Sequence, residues 1–168
     1  MTTRKSMWVL FGILVISAWI FWSVAPASAE TMNFKIYNWQ TKIENVPLGD
    51  ADGHEVGVEL RSALYVLENG EVAATKIIST YDLIKGSGPY KNYITMNFED
   101  GSTVILKSEG TVGGPAAAFK SEIIKGTGRF QGIKGTISAK IRFLPAEPGE
   151  SRGKGIGEGA INYTRPSK

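Results

Sequence analysis

The chain contains no cysteine and only one histidine, His54. The first absence excludes disulfides, thiolate metal sites and a cysteine nucleophile. The second leaves no basis for a Ser-His-Asp arrangement, because the lone imidazole sits in an acidic loop, Asp50-Ala51-Asp52-Gly53-His54-Glu55. That loop also departs from the D-x-[DN]-x-[DN]-G calcium pattern, so it reads as a solvated turn and no metal site is expected. Charge of one sign is not in excess: 19 Lys+Arg face 16 Asp+Glu, a formal net charge of +3. Two of the cations, Arg4 and Lys5, lie at the extreme N-terminus, so the body is close to neutral. A near-neutral body excludes a nucleic-acid binder that works through a concentrated basic face. Neither a G-x-S-x-G nor a G-x-x-x-x-G-K-[ST] motif occurs. Gly155-x-Gly157-x-x-Ala160 formally matches a dinucleotide fingerprint, but only eight residues follow it. The acidic residue that the fingerprint needs about 20 positions later has no place, so no cofactor is expected.

One long apolar run is present. Met1 to Ser6 is a short basic start, and Met7 to Ala25 is 19 residues without a charge. Pro26 then breaks any helix, and Ala27-Ser28-Ala29 is an A-x-A cleavage pattern. Together these describe a signal peptide over residues 1–29 and a protein exported to the periplasm or secreted. The run nearly reaches the roughly 20 apolar residues that span a bilayer, so an uncleaved anchor over residues 7–25 stays open as the alternative. That run is then the only membrane contact expected.

From Glu30 to Lys168 no window of helical periodicity survives the glycines and β-branched clusters. Strand patterns fill the body instead: Asn33–Trp39, Val56–Glu68, Glu71–Tyr81, Tyr90–Glu99, Ser102–Glu109, Ala117–Ile124, Gly132–Leu144 and Ile156–Thr164. Asn69-Gly70 and Asp100-Gly101 predict two-residue type I′ hairpins. A two-residue turn at Asp100-Gly101 sets Met96 opposite Ile105 and Phe98 opposite Thr103. About eight antiparallel strands predict an all-β, eight-stranded β-barrel domain over residues 30–168, since closure removes the exposed sheet edges. A barrel of eight strands holds packed side chains or one small ligand. Apolar residues on both strand faces also allow a homo-oligomer. The glycine clusters Gly126–Gly135 and Gly153–Gly159 read as places where strands bend or approach closely, as barrel corners require. Asn162-Tyr163-Thr164 matches a glycosylation sequon.

The segment Gly126 to Phe143, GTGRFQGIKGTISAKIRF, resembles the late strand-turn-strand of the allene oxide cyclase barrel family and the G-G-T-G-x-F of the related dirigent proteins. Val46-Pro47-Leu48-Gly49-Asp50, Thr80-Tyr81 and Gly88-Pro89-Tyr90 resemble further family segments in order, so the likeness runs from about Phe34 to Thr164. It implies an eight-stranded barrel with an apolar cavity, of the uncharacterised bacterial type. The plant cyclases place a Glu and an Asn two residues apart on the first strand and a Cys on the second. Here the first strand reads Lys35-Ile36-Tyr37-Asn38-Trp39-Gln40, and Tyr65 stands about where the Cys would be. The cyclase apparatus does not carry over, and no catalytic residue is assigned. Binding of an apolar or aromatic small molecule is expected, with Asn38, Tyr65, Tyr81 and Phe130 as cavity candidates. Tyr37, Trp39, Tyr90, Tyr93 and Phe98 are further aromatics able to line it. Glu59, Glu99 and Glu122 are conceivable acid–base carboxylates, although strand carboxylates are mostly exposed. A filled-barrel envelope module and a cyclase-type isomerase or stereo-directing enzyme are the alternatives to a binding protein.

Overall fold

The computed structural model describes residues 29–145, 147–148 and 153–165. The expected signal or anchor helix lies outside these, and so does much of the Pro145–Arg152 loop expected between the last two strands. Eight antiparallel strands form one closed barrel in sequence order. They are β1 (Ala29–Pro47), β2 (His54–Leu67), β3 (Val72–Ile84), β4 (Gly88–Asn97), β5 (Thr103–Gly113), β6 (Ala116–Gly126), β7 (Lys134–Phe143) and β8 (Gly155–Thr164). β1 closes the barrel by pairing with β8 through Ala29–Asn38 and with β2 through Phe34–Pro47. An extra residue at Thr41 shifts its register midway, which lets one long strand bend between two partners.

The period-two pattern explains the layering. Along β3 every second residue from Ala73 to Leu83 is buried and every intervening one is exposed. A strand sends successive side chains to opposite faces, so one parity fills the interior and the other meets water. Phe34, Ile36, Tyr65, Ile77, Ile94, Met96, Leu106, Phe119 and Ile137 pack inside with the rest of the apolar core. Tyr37, Trp39 and Tyr93 point outward, away from the barrel interior; parity alone puts them on the wet face.

Both hairpins differ from the type I′ expectation. Leu67 faces Glu71, and Phe98 faces Ser102, so each loop has three residues. Only the third residue, Gly70 or Gly101, has positive φ, at 85° and 79°. A three-residue loop built on a type I turn needs one left-handed residue, whereas type I′ needs two. The side chains of Asn69 and Asp100 settle the choice by accepting hydrogen bonds from the backbone N–H of Glu71 and Ser102 at 3.0 and 2.9 Å. The added loop residue moves the β4–β5 register by one. Met96 faces Val104 and Asn97 faces Thr103, so Val104 and Leu106 enter the core and Ile105 does not. The first glycine cluster also departs from plain strand. Gly128–Phe130 is a single 3-10 turn that folds Phe130 inward over one end of the barrel.

His54 ties the β1–β2 connection to β3. Its Nδ1 lies 2.6 Å from Asp50 Oδ1 and its Nε2 lies 2.7 Å from Asp82 Oδ1. Carboxylates only accept, so the doubly protonated ring alone satisfies both contacts. These bonds, Asp82 first, raise the His54 pKa above its ordinary 6.5, and the same ring lowers that of Asp50. A folded-state pKa above the unfolded one adds stability that is complete below about 6.5 and is lost as pH rises through the folded value. Thermal unfolding across pH 5 to 9 is expected to show Tm falling with rising pH in this window. A His54→Gln variant is expected to lose that component of the slope, and an unchanged slope would sink the assignment.

Candidate functional site

Strand parity carries polar residues into the barrel as well. On β2 the residues in step with Tyr65 and Leu67 are Ala63, Arg61 and Glu59, and all are buried. Asn92 lies between buried Tyr90 and Ile94, and Ser79 between buried Ile77 and Tyr81. The register sets Glu59 beside Ser79, Ser79 beside Asn92, Asn92 beside Ser108 and Ser108 beside Ser121. A polar row therefore crosses five neighbouring strands inside the barrel.

At one end of this row stands a buried ion pair. Arg61 Nη1 donates to Glu59 Oε1 at 2.6 Å, Nε donates to Asn38 Oδ1 at 2.8 Å, and Nη2 donates to the Gly153 carbonyl at 3.0 Å. The guanidinium also lies over the Phe143 ring, 5.4 Å from its centroid. Four partners on β1, β2, β7 and the approach to β8 thus fix one cation. The contact with Asn38 depends on Gly155, its register partner on β8. A Cβ at Gly155 would stand 2.4 Å from Asn38 Nδ2, closer than atoms can approach.

Around this pair is a cavity of about 550 Å³, counted to its open mouth. Asn38, Glu59, Arg61, Tyr65, Tyr81 and Asn92 supply its polar wall, with Ile77, Ile94, Val112, Phe119, Ile141 and Phe143 as the apolar wall. Only about 50 Å³ of it is wide enough for the centre of a water molecule. At roughly 10–15 Å³ for each water centre, the space is a slot for a few waters or for a flat group, not an open bowl. Among the described residues, the Tyr65 hydroxyl and Asn92 Oδ1 in its wall have no hydrogen-bond partner. An unpaired buried polar atom costs about 1–3 kcal/mol. Burial raises the Tyr65 pKa strongly, and burial pushes Tyr90 up to about 12, so both phenols keep their protons at neutral pH.

The structure gathers three of the four sequence candidates here, Asn38, Tyr65 and Tyr81. Phe130 lies with a second cavity, among Met96, Phe98, Val104, Ile123 and Tyr163. The second group comes from the opposite strand ends, so the two cavities occupy opposite ends of the barrel. Ile36 and Leu106, fully buried and lining neither cavity, lie between them. Sequence reading missed Arg61 and Asn92, and it set Glu59 beside Glu99 and Glu122 as conceivable carboxylates; the latter two are exposed. The signal for the missed residues was parity with Tyr65 and Tyr90, available once either tyrosine is placed inside. Among the described residues no group of three His, Asp or Glu side chains is placed to hold a metal ion.

Comparison with known proteins bears on the fold. The pterocarpan synthase dirigent protein GePTS1 superimposes with a TM-score of 0.53 at 18% identity, covering 88% of this chain and 100% of that one. A second pterocarpan synthase dirigent protein, PsPTS1, gives 0.54 at 16% identity over 84% of this chain and 97% of that one. A DUF3224-family protein of unknown function from Shewanella oneidensis MR-1 gives 0.52 at 16% identity over 83% and 100%. The barrel is dirigent-like in fold. No family model matches the sequence, and no curated protein matches it.

The buried pair yields a direct test. Removing one partner of such a pair leaves an uncompensated charge and typically costs about 3–5 kcal/mol, whereas replacing both by apolar groups is often neutral. Urea unfolding of Arg61→Ala is expected to show a loss in that range, with Glu59→Leu/Arg61→Leu recovering most of it. Equal losses in the single and double variants would show that the pair is not desolvated.

Proposed function

We propose that this chain is an exported barrel protein that binds a small, flat, apolar or aromatic molecule carrying a hydroxyl group, in the slot beside Glu59 and Arg61. The observation that carries the proposal is the slot wall itself. The Tyr65 hydroxyl and Asn92 Oδ1 are buried there without partners, in a cleft that is otherwise largely apolar. A ligand hydroxyl that accepts from Tyr65 and donates to Asn92 removes both penalties at once. The ion pair neutralises itself, which favours an uncharged ligand over an ionic one. A largely apolar pocket with a few convergent polar groups is the general pattern of small-molecule sites. The dirigent-like fold and the basic, apolar, small-residue order of residues 1–29 support the same reading.

A second reading is a stereo-directing or isomerising role on that ligand. What favours it is Glu59, a buried carboxylate on the slot wall whose bond to Arg61 uses one of its two oxygens. The name of two fold neighbours, pterocarpan synthase dirigent protein, fits this reading. Turnover of the bound molecule, lost in Glu59→Gln, distinguishes catalysis from binding.

Native mass spectrometry of protein purified from its exporting host tests the binding. The expected mass begins at Glu30 and carries a non-covalent ligand of a few hundred daltons that leaves on denaturation. Tyr65→Phe is expected to weaken that ligand about ten-fold, equivalent to about 1.4 kcal/mol, without lowering stability. An empty barrel in the native spectrum, with stability unaltered by added hydroxylated aromatics, would favour a filled-barrel envelope module instead. A full-length mass would assign residues 7–25 to an anchor.

A further inference from the structure

The second cavity is built differently from the first. Counted to its open mouth it spans about 580 Å³, of which about 110 Å³ admits a water centre, about twice that of the Glu59–Arg61 slot. Its wall is apolar: Met32 on β1, Met96 on β4, Ile123 on β6, Ile137 on β7 and Ile161 on β8, with Phe130 folded over it. The polar groups sit at the rim, and two of them are arginines. Their electrostatic states differ. Arg129 is spent, because it pairs with Glu71 and, at 3.3 Å, with Asp100. Its guanidinium lies over the rings of Phe98 and Phe130, at 5.1 and 4.7 Å from their centroids. Arg165 makes no ion pair among the described residues. Nη2 donates to the Tyr163 hydroxyl at 3.0 Å, and the guanidinium stands over the rings of Phe130 and Tyr163. Glu30 is the nearest acid in this chain of contacts, but it takes the Tyr163 hydroxyl as its partner, at 2.6 Å. Among the described residues, one hydrogen bond out of five available N–H groups leaves a fork of donors at the mouth of an apolar cup.

We propose that this end of the barrel is a second binding site, for a single-chain amphiphile with an anionic head. The alkyl chain occupies the cup between Met32 and Met96, whose flexible thioethers adjust to a chain of irregular shape. The head meets Arg165 at the rim, where a planar guanidinium takes a carboxylate in paired hydrogen bonds. The space that admits a water centre, about 110 Å³, is below the roughly 300–1,000 Å³ usual for small-molecule sites, so it suits one narrow chain and not a bulky ligand. The proposal is independent of the slot at the other end, with which it shares no lining residue.

The chain has four methionines, and the two among the described residues, Met32 and Met96, both line this cup. Methyl NMR of the full chain carrying labelled methionine therefore reads the site directly, with Met32→Leu and Met96→Leu to assign the signals. Dodecanoate, held below its micelle concentration, is expected to shift both methyls saturably. Arg165→Gln is expected to weaken that binding at least ten-fold, while dodecanol binds the native chain and the variant alike. Tyr65→Phe, at the opposite end and expected to keep its stability, is expected to leave dodecanoate affinity unchanged. Absence of a saturable shift at Met32 and Met96 overturns the proposal. Equal dodecanoate affinity in Arg165→Gln overturns it too and marks the cup as a site for neutral apolar molecules. Weakening by Tyr65→Phe to the same extent as by Arg165→Gln would overturn it by placing the ligand in the other cavity.

Discussion

Everything in this molecule rests on the pairing of β1 with β8. Without it, two strand edges would stand open, and the interior would be a wet face. The pairing is made possible by what β8 omits. Gly155, Gly157 and Gly159 alternate along it, so its inner face is nearly bare where β1 crosses. Phe34 and Asn38 lie over that bare face; a Cβ at Gly159 would stand 2.6 Å from the Phe34 ring, and one at Gly155 would strike Asn38. Barrel closure and the positioning of Asn38 are therefore one steric fact.

Closure also creates the division of the interior. Strand parity delivers a fixed set of side chains inward, and the antiparallel order sends the starts of half the strands to each end. At one end those residues are Glu59, Arg61, Ser79 and Asn92; at the other they are Met32, Met96, Ile123 and Ile137. Packed residues such as Ile36 and Leu106 separate the two. A buried ion pair is an expensive element, since desolvation costs several kcal/mol per ion before any contact is made. Here Asn38, the Gly153 carbonyl and the Phe143 ring help offset that cost, and the pair is held rigid where it borders the slot.

The fold was legible in the sequence because its signals are local. Alternation along Val72–Ile84 and turn glycines at Gly70 and Gly101 are visible in short windows, and an eight-strand barrel follows from them. The register of β4 against β5 was not legible, because it turns on whether Asp100-Gly101 closes a two- or three-residue loop. That choice is made by the Asp100 side chain bonding Ser102, a contact with no pattern of its own. Asn38, Tyr65 and Tyr81 line one cavity, whereas a 3-10 turn within the first glycine cluster carries Phe130 to the far end, a turn with no alternation to announce it.

By itself the sequence determined the class of fold, the alternation along each strand and the supply of polar residues at alternate positions. Those follow from nearest-neighbour chemistry along the chain. Tertiary structure alone decided which of them meet. Arg61 is 23 residues from Asn38 and 92 from Gly153, and only closure of the sheet brings the three to hydrogen-bonding distance. The same closure left Arg129 neutralised by Glu71 and Asp100 and Arg165 without an ion pair among the described residues, although both are rim arginines. A charge's partners are set by distance in space, and a linear pattern does not encode that distance.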